Sequence, residues 1–510
     1  MNNIIVLDGN SLTIQDLIKI TRKGYKIQIS DESKQRIIES RKIIEELISG
    51  NEAIYGVSTG FGKLANVLIS SEEQSTLQEN IIRSHSIGFG DFLPDEIVRG
   101  AMVIAINSYC KGSSGIRLST VDLYIELVNN EVIPLVPSVG SLGASGDLAP
   151  LSYIASILMG EGKAKYNGKT YDGKELLNIL GLKPVNPVAK EGLSLVNGTH
   201  VLSSYAAHTV YDALSIMKHS AISVALVLEA FHGNTDAFSP FIMENRAHKG
   251  QRDFAKTVLK LIKDSDIEKI KAPRVQDPYS IRCSPQVHGA ILDTIRYAKD
   301  VVEIEINSVT DNPLISVSEN HAFSGGNFHG EPISLVMDFL SIAMTELGTI
   351  SERRVNQLLN TSLSNLPAFL TGNPGLNSGL MILQYADAAL SSENKVLSSP
   401  ATIDNTPVSA DQEDHVSMGL TSSKKAYKIR EIVLQMIAIE IFTACQALEF
   451  RGERDLSPVN KEIYDYIRKK IPPIADDRRY DDDVYWVIEQ VKAGNLLKNI
   501  EKELLSISGE

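Results

Sequence analysis

The chain has 510 residues, 43% hydrophobic and 22% charged, an ordinary globular composition able to fill a large core. Its 50 Lys and Arg against 63 Asp and Glu leave a net charge of −13, which opposes binding to nucleic acid or to an anionic membrane surface, and no basic patch offsets it. Cys110, Cys283 and Cys445 are far apart and match neither a disulfide framework nor a zinc pattern, so a reducing, cytoplasmic setting is expected. The N-terminus lacks a basic leader, and no stretch of about 18 residues is apolar throughout, so neither a signal peptide nor a membrane span is expected.

In chain order, Ile4-Ile5-Val6-Leu7 reads as a strand closed by Asp8-Gly9-Asn10. Ser30-Asp31 caps a helix running to Ser49, with Ile37, Ile38, Ile43, Ile44 and Leu47 on one stripe. Tyr55-Gly56-Val57-Ser58-Thr59-Gly60-Phe61-Gly62 is a glycine-rich loop, a plain connector or a lid. The stretch 72–130 is mostly helical, broken at Gly88-Phe89-Gly90-Asp91 and at Gly112-Ser113-Ser114-Gly115. Asn167-Gly168 signals a hairpin with a type I′ turn.

Long helices are expected over 197–231, 293–307, 332–363, 376–397 and 416–450. Several are apolar nearly all round, which implies burial in a thick core or between subunits. The charged tail from Lys461 reads as amphipathic surface helices. The expected fold class is mainly α, a long central helical bundle (196–510) with a smaller N-terminal domain (1–195).

The loops carry the unusual chemistry. Ala144-Ser145-Gly146, within Ser141-Leu142-Gly143-Ala144-Ser145-Gly146-Asp147-Leu148-Ala149-Pro150, is a tripeptide able to attack itself. A tight bend would press the Gly146 amide nitrogen onto the Ala144 carbonyl carbon, and Gly146 has the backbone freedom for it. Ring closure with loss of water, and of the Ser145 hydroxyl as a second water, leaves an electrophilic exocyclic methylene. Taken alone, the tripeptide reads first as a plain glycine-rich loop, and a serine-nucleophile turn would need a glycine where Asp147 stands.

Gln276, Tyr279, Arg282 and Gln286 are spaced three to four apart, so Tyr279 and Arg282 can share one face of a turn. An Arg beside a Tyr is either a solvated surface pair or a clamp for a carboxylate. Ser324-Gly325-Gly326-Asn327-Phe328-His329 opens a helix but lacks the Lys-Ser/Thr of a phosphate loop. His415, among Asp411, Gln412, Glu413 and Asp414, has no second histidine at ligand spacing nearby, so no metal site is expected.

Six blocks together resemble the histidine and aromatic amino-acid ammonia-lyase family. They are Tyr55 to Gly62, Gly143 to Leu151, Leu195-Val196-Asn197-Gly198-Thr199, Gln276 to Cys283, Ser324 to His329, and Gln412 to Met418. The resemblance implies a fumarase/aspartase-like helical architecture and a homotetramer with shared active sites. It also implies a 4-methylideneimidazol-5-one (MIO) group made from Ala144, Ser145 and Gly146, with no external cofactor. By resemblance, Tyr55 is the base that removes the β-proton and Arg282 the carboxylate clamp. Asn197 and Tyr279 hydrogen-bond at the MIO ring and amine, Gln276 and Phe328 line the pocket, and Glu413 contacts the amine or ring end of the substrate.

A Tyr base, ordinarily near pKa 10, is expected to need a lowered pKa. Ser84-His85 stands where histidine-specific members carry Ser-His; His-Leu there implies tyrosine and Phe-Leu phenylalanine. An imidazole substrate wants a polar partner, which His85 offers. The implied reaction is elimination of ammonia from L-histidine to trans-urocanate, the first step of histidine degradation. A tyrosine or phenylalanine ammonia-lyase, or an MIO-dependent aminomutase, is the alternative. His200, His288 and Asp411 depart from the usual histidine-type blocks and leave room for an altered substrate.

Overall fold

A computed structural model describes residues 3–49, 54–269, 272–451 and 455–508. The fold is mainly α. The long apolar stretches form helices His200–Phe231, Ser284–Glu305, Glu331–Leu359, Met381–Leu397 and Gly419–Glu449. The helix expected from 376 starts at Met381, after a turn in which the Asn377 N–H donates to the Asn373 carbonyl at 3.0 Å, and two other boundaries move for local reasons. The helix expected from residue 293 starts at Ser284, because Pro285 falls in its first turn, where a missing N–H costs nothing. The helix expected to reach 363 stops at Leu359; Asn360 then caps a separate turn, Thr361–Ser364, by accepting from the Ser362 N–H at 3.0 Å.

Three helices, His200–Phe231, Glu331–Leu359 and Gly419–Glu449, are long and apolar enough to cross a membrane by length and composition alone. Serines and threonines, with histidines in His200–Phe231, interrupt each apolar run, yet the mean hydropathy of the most apolar window stays at 1.4–1.5. In this structure 83%, 67% and 89% of their most apolar windows are buried inside the protein.

The chain divides into two compact units, each built from separated stretches. The first comprises Met1–His208, Lys299–Asp338 and Pro400–Lys424; the second Thr209–Ala298, Phe339–Ser399 and Lys425–Glu510. Four of the five long helices begin in one unit and end in the other.

In the first unit, strands Ile4–Leu7 and Lys26–Ile29 pair in parallel across helix Ile14–Lys23. Ser30 caps Asp31–Ser49, its hydroxyl accepting from the Ser33 N–H at 3.1 Å. The hairpin Lys163–Tyr166 and Lys169–Asp172 turns through Asn167 (φ 48°) and Gly168 (φ 75°), both left-handed as a type I′ turn requires. In the second unit, the tail helices Pro458–Arg468 and Asp481–Lys492 bury Ile463, Ile467, Val484, Val487 and Val491 on one face each.

A buried ion pair braces the first unit. Lys190 donates to Asp311 Oδ2 at 2.7 Å and to the Ser194 hydroxyl at 2.8 Å, with neither charged side chain more than 3% exposed. Asp311→Ala leaves that ammonium buried without its counter-charge, at a cost of about 3–5 kcal/mol. Urea unfolding followed by circular dichroism checks this, and an unchanged midpoint would contradict it.

Candidate active site

The Ala-Ser-Gly turn is tightly bent. Gly143 (φ 75°), Ser145 (φ 53°) and Gly146 (φ 75°) all lie in the left-handed region, and Gly143 and Gly146 bridge each other. Glycine is required at both ends of the turn: a Cβ on Gly146 would stand 2.1 Å from the Gly198 carbonyl oxygen, and one on Gly143 2.1 Å from the Ser417 hydroxyl. A non-glycine residue with positive φ is itself strained, and such strain collects at functional sites.

The bend is held from outside. The Asp147 N–H donates to the Gly198 carbonyl at 2.7 Å, and Asp147 Oδ2 accepts from the N–H groups of Val201 and Leu202, both at 2.9 Å. Asp147 thus caps helix His200–Phe231 from a distant part of the chain. Burial pushes its carboxyl up to about 7, against the lowering effect of those two N–H groups and the Ser141 hydroxyl. The turn is thus compressed, with glycine where a side chain cannot fit.

Beside the turn lies a cavity of about 730 Å³. Tyr55, Ser84, His85, Ser145, Asn197, Phe328 and Glu413 all line it. Gln276, Tyr279 and Arg282 are not among its lining residues; they belong to the second unit. There the Arg282 guanidinium stacks on the Tyr279 ring, 4.5 Å from its centroid, on the short helix Tyr279–Arg282, and Arg282 Nε donates to the Asp277 carbonyl at 2.9 Å. Tyr279 is 70% exposed. Gln276 and Arg282 line a separate cavity of about 320 Å³ with Asp277 and Cys283.

Tyr55 meets Phe61 edge-to-face at 6.4 Å, and its hydroxyl oxygen accepts from the Gly62 N–H at 3.0 Å. Burial raises the phenol's pKa above its ordinary value and the Glu413 carboxylate raises it further, opposed by the Gly62 hydrogen bond. The lowered pKa expected of this base is therefore not found in the single chain, where burial, the Gly62 N–H and Glu413 are the groups acting on Tyr55. Burial also raises Glu413 and depresses His85, which favours the neutral imidazole. The Ser84 hydroxyl lies 3.1 Å from His85 Nδ1. Asn197 Nδ2 donates to the Asn312 carbonyl at 3.2 Å, and its Oδ1 is buried with no hydrogen-bond partner, an acceptor available to a donor in the cavity.

Asp147, Asp311 and Asn312 escape a sequence reading. Asn312 shapes the cavity wall twice, through its carbonyl to Asn197 and through Oδ1 to the Gly325 N–H at 2.7 Å. Asp147 belonged to a recognised block, but its clamp is visible only once Gly198 to Leu202 folds against it. His200 and His288 are both buried: burial pushes His200 down to about 4 and His288 well below its ordinary value. Neither lines the large cavity; His288 instead stacks on Phe254 at 4.3 Å in the second unit.

A mainly helical chain that joins a self-strained Ala-Ser-Gly turn to a tyrosine, a histidine and a carboxylate has the make-up of an amino-acid lyase. Comparison with known proteins agrees: residues 12–469 match the family model for aromatic amino acid lyase, and the chain belongs to that family. It is a carbon–nitrogen lyase. A histidine ammonia-lyase of Caldanaerobacter subterraneus subsp. tengcongensis is 45% identical over 500 residues, 98% of each chain. The solved histidine ammonia-lyase of Trypanosoma cruzi superposes with a TM-score of 0.92 at 38% identity, covering 99% of this chain and 97% of that one. A tyrosine aminomutase from Streptomyces globisporus superposes equally well, TM-score 0.92 at 34% identity over 98% of each chain.

Removing the Glu413 charge lightens the load on Tyr55, so Glu413→Gln is expected to move the acidic limb of the kcat/KM–pH profile to lower pH, whatever it does to the maximum. A limb that stays in place contradicts that coupling.

Proposed function

We propose that the chain removes ammonia from L-histidine to give trans-urocanate, as a cytoplasmic enzyme opening histidine degradation. The observation that carries this reading is the half-buried imidazole of His85, kept neutral by burial and in contact with the Ser84 hydroxyl, in the same cavity as Tyr55 and Ser145. A neutral imidazole both donates and accepts, and so suits an imidazole substrate where an apolar residue would suit a phenyl ring.

In this reading Tyr55, once ionised, takes the substrate's β-proton. Asn197 Oδ1 accepts from the amine, Phe328 packs on the substrate and Glu413 receives its amine or ring end. An MIO ring made from Ala144, Ser145 and Gly146 supplies an electrophilic methylene that turns an amine into a better leaving group, and no external cofactor is called for.

Among the described residues, no Lys or Arg lines the cavity of a single chain, so the substrate carboxylate lacks a cation there. That supports a homotetramer in which a neighbouring copy brings Arg282 as the clamp, with Tyr279 at the amine and Gln276 at the wall. A planar guanidinium binds a carboxylate through two parallel hydrogen bonds. Its charge near Tyr55 would also oppose the effect of burial and help the phenol ionise.

Incubation of the purified protein with L-histidine is expected to raise the urocanate absorbance. Turnover of tyrosine alone would overturn the histidine reading, and a β-amino acid product would indicate a mutase. His85→Leu is expected to lower kcat/KM for histidine by roughly 100-fold, because a buried polar partner is lost from the recognition site. Unchanged histidine kinetics in that variant would remove His85 from substrate choice.

A further inference from the structure

We propose that His329, Glu331 and His415 form a divalent-cation site, matched to zinc, that fastens together two loops of the catalytic cavity. One ligand atom from each lies within 4.8 Å of the others, and all three residues belong to the first unit. The sequence reading discounted His415 because no second histidine stood near it in the chain; folding brings His329 to it across 86 positions.

Three observations point to a cation. Glu331 Oε2 is buried with no hydrogen-bond partner, and a buried carboxylate oxygen without a donor or counter-charge is costly. His329 Nε2 lies 3.2 Å from the His415 carbonyl oxygen, which can only accept. Nε2 therefore carries the proton and Nδ1 keeps its lone pair, the arrangement by which a backbone carbonyl orients a ligating imidazole. The His415 ring is exposed, lies parallel to the His329 ring within 5° at 5.8 Å, and makes no hydrogen bond with the described residues, so it is free to turn.

Two imidazole nitrogens and one carboxylate oxygen suit a borderline ion such as Zn²⁺ better than Ca²⁺ or Mg²⁺, which prefer oxygen donors, and water completes a tetrahedron. Tetrahedral Zn–N and Zn–O bonds place ligand atoms roughly 3.4 Å apart, so from separations of up to 4.8 Å the atoms need to close by at most about 1.4 Å, which a rotation of the exposed His415 ring contributes to.

The placement gives the ion a task. His329 follows Phe328, and His415 stands two positions beyond Glu413; both Phe328 and Glu413 line the cavity. A bound ion would tie the loop before helix Glu331–Leu359 to the loop before helix Gly419–Glu449. It would fix the wall that Phe328 and Glu413 build without touching substrate.

The test uses the full-length protein stripped with EDTA and titrated with Zn²⁺ against a chromophoric chelator. Wild type is expected to hold one more ion per chain than His415→Ala, and Co²⁺ in its place should give a tetrahedral visible spectrum that the variant lacks. Zn²⁺ should raise the Tm of wild type and not of His415→Ala, whose change lies at an exposed position and whose fold circular dichroism confirms. His329→Gln should weaken the same ion at least tenfold. His85→Ala controls for the catalytic cavity and should keep the extra ion. Equal stoichiometry in wild type and His415→Ala, or loss of the ion in His85→Ala instead, would overturn the proposal.

Discussion

The structure depends on one crowded contact, the Gly143–Gly146 turn pressed against the Gly198 carbonyl. Ser145, a non-glycine residue held left-handed between Gly143 and Gly146, stores backbone strain that a free loop would relax. Asp147 prevents the relaxation. Its N–H holds the Gly198 carbonyl and its carboxylate holds the first free N–H groups of helix His200–Phe231. The helix end needs an acceptor and the turn needs a restraint, and one side chain answers both. Met418 adds a second tie, its N–H donating to the Leu142 carbonyl at 2.8 Å. Segments far apart in sequence thus converge on a single tripeptide.

The cavity beside that turn sets its few polar groups among mainly apolar side chains, and burial there shifts the ionisable ones. Tyr55, Glu413 and His85 are all pushed toward their neutral forms by burial. The buried, unpartnered Asn197 oxygen is held by the network of Lys190, Asp311 and Asn312 behind it. Core stability and site geometry are therefore coupled through the same buried charges.

Much of this was legible in the chain. The long helices announced themselves as apolar runs, the I′ hairpin as Asn167-Gly168, and the family as short blocks, one of which places glycine where the chain bends. What escaped was whatever depends on distance across the fold. The clamp role of Asp147 needs Val201 and Leu202 brought beside it. The raised pKa of Tyr55 needs burial and a neighbour 358 positions away, Glu413. The 276–282 block read as part of the same site, yet its residues fold into the other unit of the chain, and no local pattern marks which unit a loop will join. His329 and His415 failed as a pair for the same reason.

The central claim is that the strained turn converts itself into an electrophile, and the mass of the intact chain tests it most directly. High-resolution mass spectrometry of freshly purified protein, with Ser145→Ala measured alongside, should find the wild-type chain lighter than its sequence by two waters, with the loss mapped to a peptide spanning 141–150. A wild-type chain at its full sequence mass would contradict the account, because a turn that keeps both waters has formed no methylene for an amine to meet.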